Sequence, residues 1–119
     1  MKTVRVLIVD DHHLFTQAVD ALLAKDADIE IVGCVHDGES AITAADEADV
    51  VLMDVAMPAM SGLEATKRLL ARNPGLRVIA VSGRIDDEAA AREAGATAFL
   101  HKGALHDEVA DAVRAAAAG

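Results

Sequence analysis

The sequence contains no tryptophan or tyrosine and only two phenylalanines among its 119 residues. Proteins that bind single-stranded nucleic acids stack the bases on such aromatic rings. Basic residues are also few, because 11 Lys and Arg stand against 20 Asp and Glu, for a formal net charge of −9. A surface of this charge repels nucleic-acid phosphates and anionic lipids. We therefore expect this segment to bind neither nucleic acid by itself nor a membrane.

Cys34 is the only cysteine, so an internal disulfide is excluded. It lies in the strand-like run "IEIVGCV", where we expect a reduced, buried thiol. No apolar run is long enough to span a membrane. Asp10 and Asp11 interrupt the apolar stretch near the N-terminus, and no small-residue cleavage site follows, so the sequence predicts a cytoplasmic protein.

Nucleotide-binding glycine motifs are missing too. No GxGxxG follows the first strand-like run, and no GxxxxGK[ST] occurs anywhere in the sequence. Both motifs place backbone N–H groups around phosphates, so their absence argues against dinucleotide or nucleotide binding.

The apolar content, in contrast, is high. Hydrophobic residues make up 53% of the chain, which is enough for a packed core. A length of 119 residues suits one domain over 1–119. Short β-branched runs at 4–9, 29–35, 50–55, 77–82 and 96–101 alternate with helical patterns near 13–25, 39–47, 62–72, 86–94 and 105–117. This alternation predicts an α/β fold with a five-stranded parallel sheet buried on both faces.

Polar residues end four of the predicted strands. Asp10 and Asp11 follow the first, Asp54 ends the third, Ser82 ends the fourth and Lys102 follows the fifth. Ligands of open parallel sheets bind at this carboxyl edge. Ordinary loop polarity would explain Asp10 alone, but it explains poorly a carboxylate inside the apolar run "VVLMDVAMP". Three acids and one lysine predict a site for a hard cation such as Mg²⁺.

Four segments carry a family resemblance: "VLIVDDHH", "VVLMDVAMPAMSGLEA", "VIAVSG" and "AGATAFLHKG". In order and spacing they resemble the receiver domain of two-component response regulators, over essentially the whole chain. Two phrases, "DVAMPAMSGLEA" and "GATAFLHK", are most similar to the branch that carries a C-terminal helix-turn-helix domain. The resemblance implies a flavodoxin-like (CheY-like) sheet of strand order 2-1-3-4-5 with helices on both faces.

The resemblance also implies roles for the residues at the sheet edge. Asp54 would accept a phosphoryl group from the phosphohistidine of a sensor histidine kinase. Asp11, Asp54 and the backbone carbonyl of Ala56 would ligate Mg²⁺, or Mn²⁺ in its place, and Asp10 would act through water. Lys102 would pair with a phosphoryl oxygen.

Two further residues would transmit the signal. The Ser82 hydroxyl would move toward the new phosphoryl group, and Phe99 would be the switching aromatic, with a plain core residue as its equal alternative. The output would be a domain or partner that controls transcription, and the only catalysis would be the chain's own phosphoryl transfer and slow autodephosphorylation. Phosphorylation is also expected to favour a homodimer through the fourth helix, fifth strand and fifth helix. That face holds charged residues suited to reciprocal ion pairs, among them Arg84, Arg92 and Arg114.

Three positions depart from the family pattern. Ala56 stands where many relatives have a polar side chain, and Ser61 replaces an acid or amide as the expected helix cap. Gly103 replaces proline, which argues against a cis peptide there. None of these changes removes a residue needed for phosphoryl transfer.

Two alternatives remain open. A Mg²⁺-dependent aspartyl-phosphate hydrolase would have a second acid at the position of Ala56, and a pseudo-receiver would lack one of the acids or the lysine. His12 and His13 could form a metal-binding pair, although adjacent histidines seldom chelate one ion. Starting the first helix is the expected role of these two residues.

Overall fold

The fold alternates strands and helices along the whole of residues 3–119, the part of the chain that this computed structural model describes. The elements are β1 (Val4–Val9), α1 (His13–Leu23), β2 (Ile29–Val35), α2 (Gly38–Ala44), β3 (Val50–Asp54), α3 (Gly62–Arg72), β4 (Arg77–Ser82), α4 (Glu88–Glu93), β5 (Ala98–His101) and α5 (Leu105–Ala118). Two single 3₁₀ turns, Ala45–Glu47 and Ile85–Asp87, follow α2 and precede α4.

The five strands form one parallel sheet in the order β2-β1-β3-β4-β5, which confirms the predicted fold class and strand order. The central strands are apolar because both of their faces are covered. Val6 and Ile8 of β1 belong to the core shared with α1 and α5. Leu7 and Val9 belong to the core on the opposite face, shared with α2 and α3. Successive residues of a strand point to opposite faces, so continuous apolar runs were the correct signal for this sheet.

Several predicted boundaries are wrong by a few residues. Helix α1 ends at Leu23 rather than near 25, because the chain turns there and Asp26 N–H donates to the carbonyl of Leu23. The helices predicted over 39–47 and 86–94 each divide into an α-helix and a 3₁₀ turn. Strand β5 begins at Ala98 rather than at 96, because Ala96 N–H donates to Ala91 and closes the end of α4.

Cys34 is only half-buried, which corrects the expectation of a buried thiol. The reason is its position in β2, the outer strand of the sheet next to β1. Burial of this extent still raises the pKa of the thiol above its ordinary value. Within residues 3–119, no helix has the length and apolar character needed to cross a membrane.

Candidate functional site

The predicted polar residues meet at the carboxyl edge of the sheet. Asp10 directly follows β1, Asp54 and Ser82 are the last residues of β3 and β4, and Lys102 directly follows β5. Strands β1 and β3 are neighbours in the sheet. The strand that follows β1 in the sequence, β2, lies on one side of this pair, and the strand that follows β3, β4, lies on the other side. A crevice forms outside the strand ends at such a switch in strand order.

Three carboxylates share this crevice. The exposed fraction is 1% for Asp10 and 3% for Asp54, and Asp11 is partly exposed. One carboxylate oxygen from each of these acids and one ring nitrogen of His12 all lie within 4.8 Å of one another. The geometry confirms that the acids converge, and it adds an imidazole that the sequence pattern singled out only weakly.

His12 and His13 take different directions. The Nδ1 atom of His12 lies 3.2 Å from Asp10 Oδ1 and 3.3 Å from Asp11 Oδ1. The His13 ring instead stacks on the ring of His36, with a centroid distance of 3.7 Å. The two histidines therefore do not form a metal-binding pair. They start α1 as predicted, with His12 at the N-cap position and His13 as the first helical residue.

Lys102 supplies the counter-charge. Its Nζ atom lies 3.0 Å from Asp10 Oδ2 and 3.6 Å from Asp54 Oδ1, and 4.4 Å from the ring centroid of Phe15. The crevice thus holds three carboxylates and one ammonium, which leaves an excess of negative charge. Burial, and then the charge of Asp10, raise the pKa of Asp54 to about 6, and the nearby ammonium only partly opposes this shift.

Three oxygen atoms in the crevice are buried without a hydrogen-bond partner among the described residues: Asp10 Oδ2, Asp11 Oδ1 and Asp54 Oδ2. Lys102 Nζ lies 3.0 Å from the Asp10 oxygen and His12 Nδ1 lies 3.3 Å from the Asp11 oxygen, but neither contact has hydrogen-bond geometry. Buried acceptors of this kind destabilise a fold unless something satisfies them. Carboxylate oxygens are the ligands that Mg²⁺ prefers, so the residues present fit a magnesium ion.

The loop after β3 is fixed closely against the strand. Gly62 N–H donates to the carbonyl of Val55 at 2.8 Å, and Ser61 caps α3 as predicted, since its Oγ accepts the N–H of Glu64. A Cβ atom at Gly62 would overlap the carbonyl oxygen of Asp54. The backbone of Ala56 acts to lower the pKa of the Asp54 carboxyl, which partly opposes the rise that burial causes. The sequence predicted only that a helix begins near residue 62, and it did not reveal the close contact of Gly62 with Asp54.

Ser82 is engaged on the side of α4. It is 3% exposed, its Oγ donates to Asp87 Oδ2 at 2.6 Å, and it accepts the N–H of Arg84 at 3.0 Å. Phe99 lies opposite Ala80 in the sheet and is half-buried in the small core under α4. Sequence reasoning placed Ser82 and Phe99 correctly on the two strands but did not find Asp87.

The contacts of His101 account for the glycine at position 103, where the family pattern has proline. The N–H of Gly103 donates to His101 Nδ1 at 3.1 Å, and the Nε2 atom lies 3.0 Å from the carbonyl oxygen of Gly83. A ring that accepts at Nδ1 carries its proton on Nε2 and donates it to Gly83. Proline at 103 has no N–H for this contact, and a Cβ atom there would lie 3.0 Å from Nδ1. No peptide bond within 3–119 is cis.

Comparison with known proteins agrees with this architecture. The family model of the response regulator receiver domain matches residues 6–114. The chain belongs to this family. It is 41% identical to the response regulator GacA of Pseudomonas viridiflava over 98% of this chain and 56% of that protein. It is 38% identical to the transcriptional regulatory protein LiaR of Bacillus subtilis, over 98% of this chain and 57% of the relative. This receiver domain thus spans little more than half the length of those relatives.

Solved structures give the same answer. The signal receiver domain of the putative response regulator NarL from Mycobacterium tuberculosis superposes with a TM-score of 0.92 at 30% identity, covering 100% of this chain and 99% of that one. A LuxR-family two-component response regulator from Aurantimonas superposes with a TM-score of 0.93 at 26% identity, covering 99% and 87%. The family predicted from the sequence is therefore confirmed.

Proposed function

We propose that this receiver domain is a phosphorylation-dependent switch, in which Asp54 accepts a phosphoryl group from a sensor histidine kinase with the help of Mg²⁺. The observation that carries the proposal is the crevice of Asp10, Asp11 and Asp54, where three buried carboxylate oxygens lack a hydrogen bond and a single lysine supplies the counter-charge. The changed conformation would control an output domain or partner in transcription, because relatives such as LiaR are transcriptional regulatory proteins. We also propose that the domain acts in the cytoplasm and binds no nucleic acid itself.

The chemistry follows from the charges. With a pKa of about 6, the Asp54 carboxylate is largely ionised at neutral pH and can act as the nucleophile. Its oxygen bonds to phosphorus as the bond from phosphorus to the kinase imidazole breaks, and the imidazole keeps that electron pair. Lys102 lies where it can stabilise charge on a transferring oxygen. A bound Mg²⁺, held by Asp11, Asp54 and the Ala56 carbonyl with Asp10 acting through water, would neutralise the phosphoryl oxygens.

The test is direct phosphorylation. Incubation with Mg²⁺ and phosphoramidate should add one phosphoryl group per chain, measured by intact mass, and a chelator should prevent the addition. Hydroxylamine should remove the group, because an acyl phosphate reacts with it. An adduct that forms without divalent metal, or that resists hydroxylamine, would point to one of the five histidines and contradict the proposal.

The metal site makes a separate prediction. Asp11→Asn should lower the affinity for Mg²⁺ or Mn²⁺ about tenfold or more, because it removes one charged oxygen ligand from a small set. Asp86→Asn is the matched control, since this exposed acid lies on the turn before α4 and outside the crevice. Calorimetric titration measures both. Equal affinities for Asp11→Asn and Asp86→Asn, or tight Zn²⁺ binding that requires both His12 and His13, would show that the site has been misassigned.

The two alternatives have less support. A hydrolase would use an acid two residues after the nucleophile, and Ala56 has no such group there. A pseudo-receiver would lack one of the acids or the lysine, whereas all of them meet in the crevice. We therefore propose that the chain turns over no separate substrate.

Dimerisation through α4, β5 and α5 remains part of the proposal, but two of the three arginines expected to form ion pairs across the dimer form ion pairs within the chain. Arg114 was expected on that face, but its guanidinium binds Asp28 at 2.8 Å and Asp26 at 2.7 Å in the connection between α1 and β2. Arg92 pairs with Glu88 inside α4. Among the described residues, Arg84 is the one cation of the three without an ion pair, so association would depend mainly on this residue.

A further inference from the structure

The hydroxyl of Ser82 already has hydrogen-bond partners in this structure. A serine hydroxyl has a single proton, and here that proton is donated to Asp87 Oδ2 across 2.6 Å. The oxygen also accepts the backbone N–H of Arg84. Ser82 is 3% exposed, so its hydroxyl has little contact with water in this state. A short hydrogen bond to a carboxylate is among the stronger kinds in proteins.

The proposed function requires the same proton for a different hydrogen bond. In that function, on which the present inference rests, Ser82 donates to the phosphoryl group on Asp54. One proton cannot serve both acceptors, so phosphorylation has to release Asp87. We propose that Asp87 is a positioning residue, which stabilises the resting state of the switch by holding the Ser82 hydroxyl away from the phosphorylation site.

Release of Asp87 would affect α4 directly. Asp87 is the last residue of the 3₁₀ turn before α4, and its N–H donates to the carbonyl of Arg84. Little else secures this turn to the sheet. Ile85 is 68% exposed, and α4 has six residues of which only Ala91 is fully buried. The side-chain bonds described from the sheet to this segment are the two of Ser82, which donates to Asp87 and accepts the N–H of Arg84, and that of His101 to Gly83.

The experiment measures the affinity for beryllium fluoride, a phosphoryl mimic, in the presence of Mg²⁺. Asp87→Ala should tighten binding about three- to tenfold, because the resting state loses one hydrogen bond. Asp87→Asn should give a smaller gain, since an amide oxygen still accepts but carries no charge. Without mimic, the Arg84 amide resonance of Asp87→Ala should move toward its position in the mimic-bound wild type. That spectroscopic change reports a shift in population.

Removing Asp87 also removes a negative charge, which by itself favours an anionic mimic. Asp86→Ala makes the same charge change on the adjacent residue and should leave the affinity near that of wild type. In a Ser82→Ala background, Asp87→Ala should give no gain beyond this charge effect. A gain that is equal with and without the Ser82 hydroxyl, or equal for Asp86→Ala, would overturn the inference while leaving the proposed function intact. Mimic binding that is absent in wild type, or unchanged in Asp54→Asn, would overturn both.

Discussion

Asp54→Asn should abolish phosphoryl transfer and, at neutral pH without metal, should make the fold more stable. The first effect follows because an amide cannot act as the nucleophile. The second follows from burial. The pKa of Asp54 rises from 3.8 to about 6 in the folded protein, so its ionisation costs more free energy there than in the unfolded chain. The contribution of Asp54 to the free energy of unfolding is therefore most favourable below about pH 4, and this contribution is lost as the pH rises through 6.

The asparagine variant cannot lose stability in this way. A difference of roughly two pKa units corresponds to about 3 kcal/mol, and an amide also leaves some buried hydrogen bonds unmade. We expect a gain of about 1–3 kcal/mol in the free energy of unfolding at pH 7.5, shrinking as the pH is lowered toward 4. Urea unfolding across this range in a chelator measures the gain, with Asp86→Asn as the exposed control. A variant that gains no stability at pH 7.5 would contradict the electrostatic argument, and one that still acquires the phosphoryl group would contradict the assignment of Asp54.

The same burial explains why this site could be predicted from the sequence. In "VVLMDV" a single carboxylate interrupts an apolar run that otherwise predicts a buried strand. A charged residue that contradicts the local apolar pattern is typical of a functional position. The strand order then determines which strand ends meet, because the polar residues lie at the ends of β1, β3, β4 and β5, which are consecutive in the sheet. The pattern of strands in the sequence was therefore sufficient to predict that Asp10, Asp11, Asp54 and Lys102 lie at the same edge of the sheet.

Contacts that depend on side-chain direction were not predictable in this way. Asp87 reaches Ser82 only because the chain before α4 closes a 3₁₀ turn, and nothing in "GRIDDEAA" distinguishes it from its neighbour Asp86. Arg114 lies on α5, yet its long side chain extends to Asp26 and Asp28, which are far away in the sequence. Helical spacing shows which face a residue lies on, but not which of several carboxylates a guanidinium will bind.

The tight contact at the start of α3 leads to the second large expected effect. Gly62→Ala should lower the free energy of unfolding by about 2–3 kcal/mol, as overpacking does when the obstacle cannot move. The new Cβ would overlap the Asp54 carbonyl oxygen and lie 2.8 Å from the carbonyl carbon. These are backbone atoms of a central strand, so no change of rotamer relieves the contact. Intrinsic helix propensity alone would make alanine more favourable than glycine inside α3 by about 1 kcal/mol, so a loss reports the clash itself.

Gly62→Ala should also slow phosphoryl transfer, because relief of the overlap has to move either the end of β3, which carries Asp54, or the start of α3. The matched control is Gly83→Ala, where a Cβ atom meets nothing within 4 Å and the backbone is outside the left-handed region. Urea unfolding and the rate of phosphorylation by phosphoramidate are measured on both variants. If Gly62→Ala unfolds at the same urea concentration as Gly83→Ala, α3 can shift away from the strand at little cost. The close approach of α3 would then not be what fixes Asp54 in the crevice.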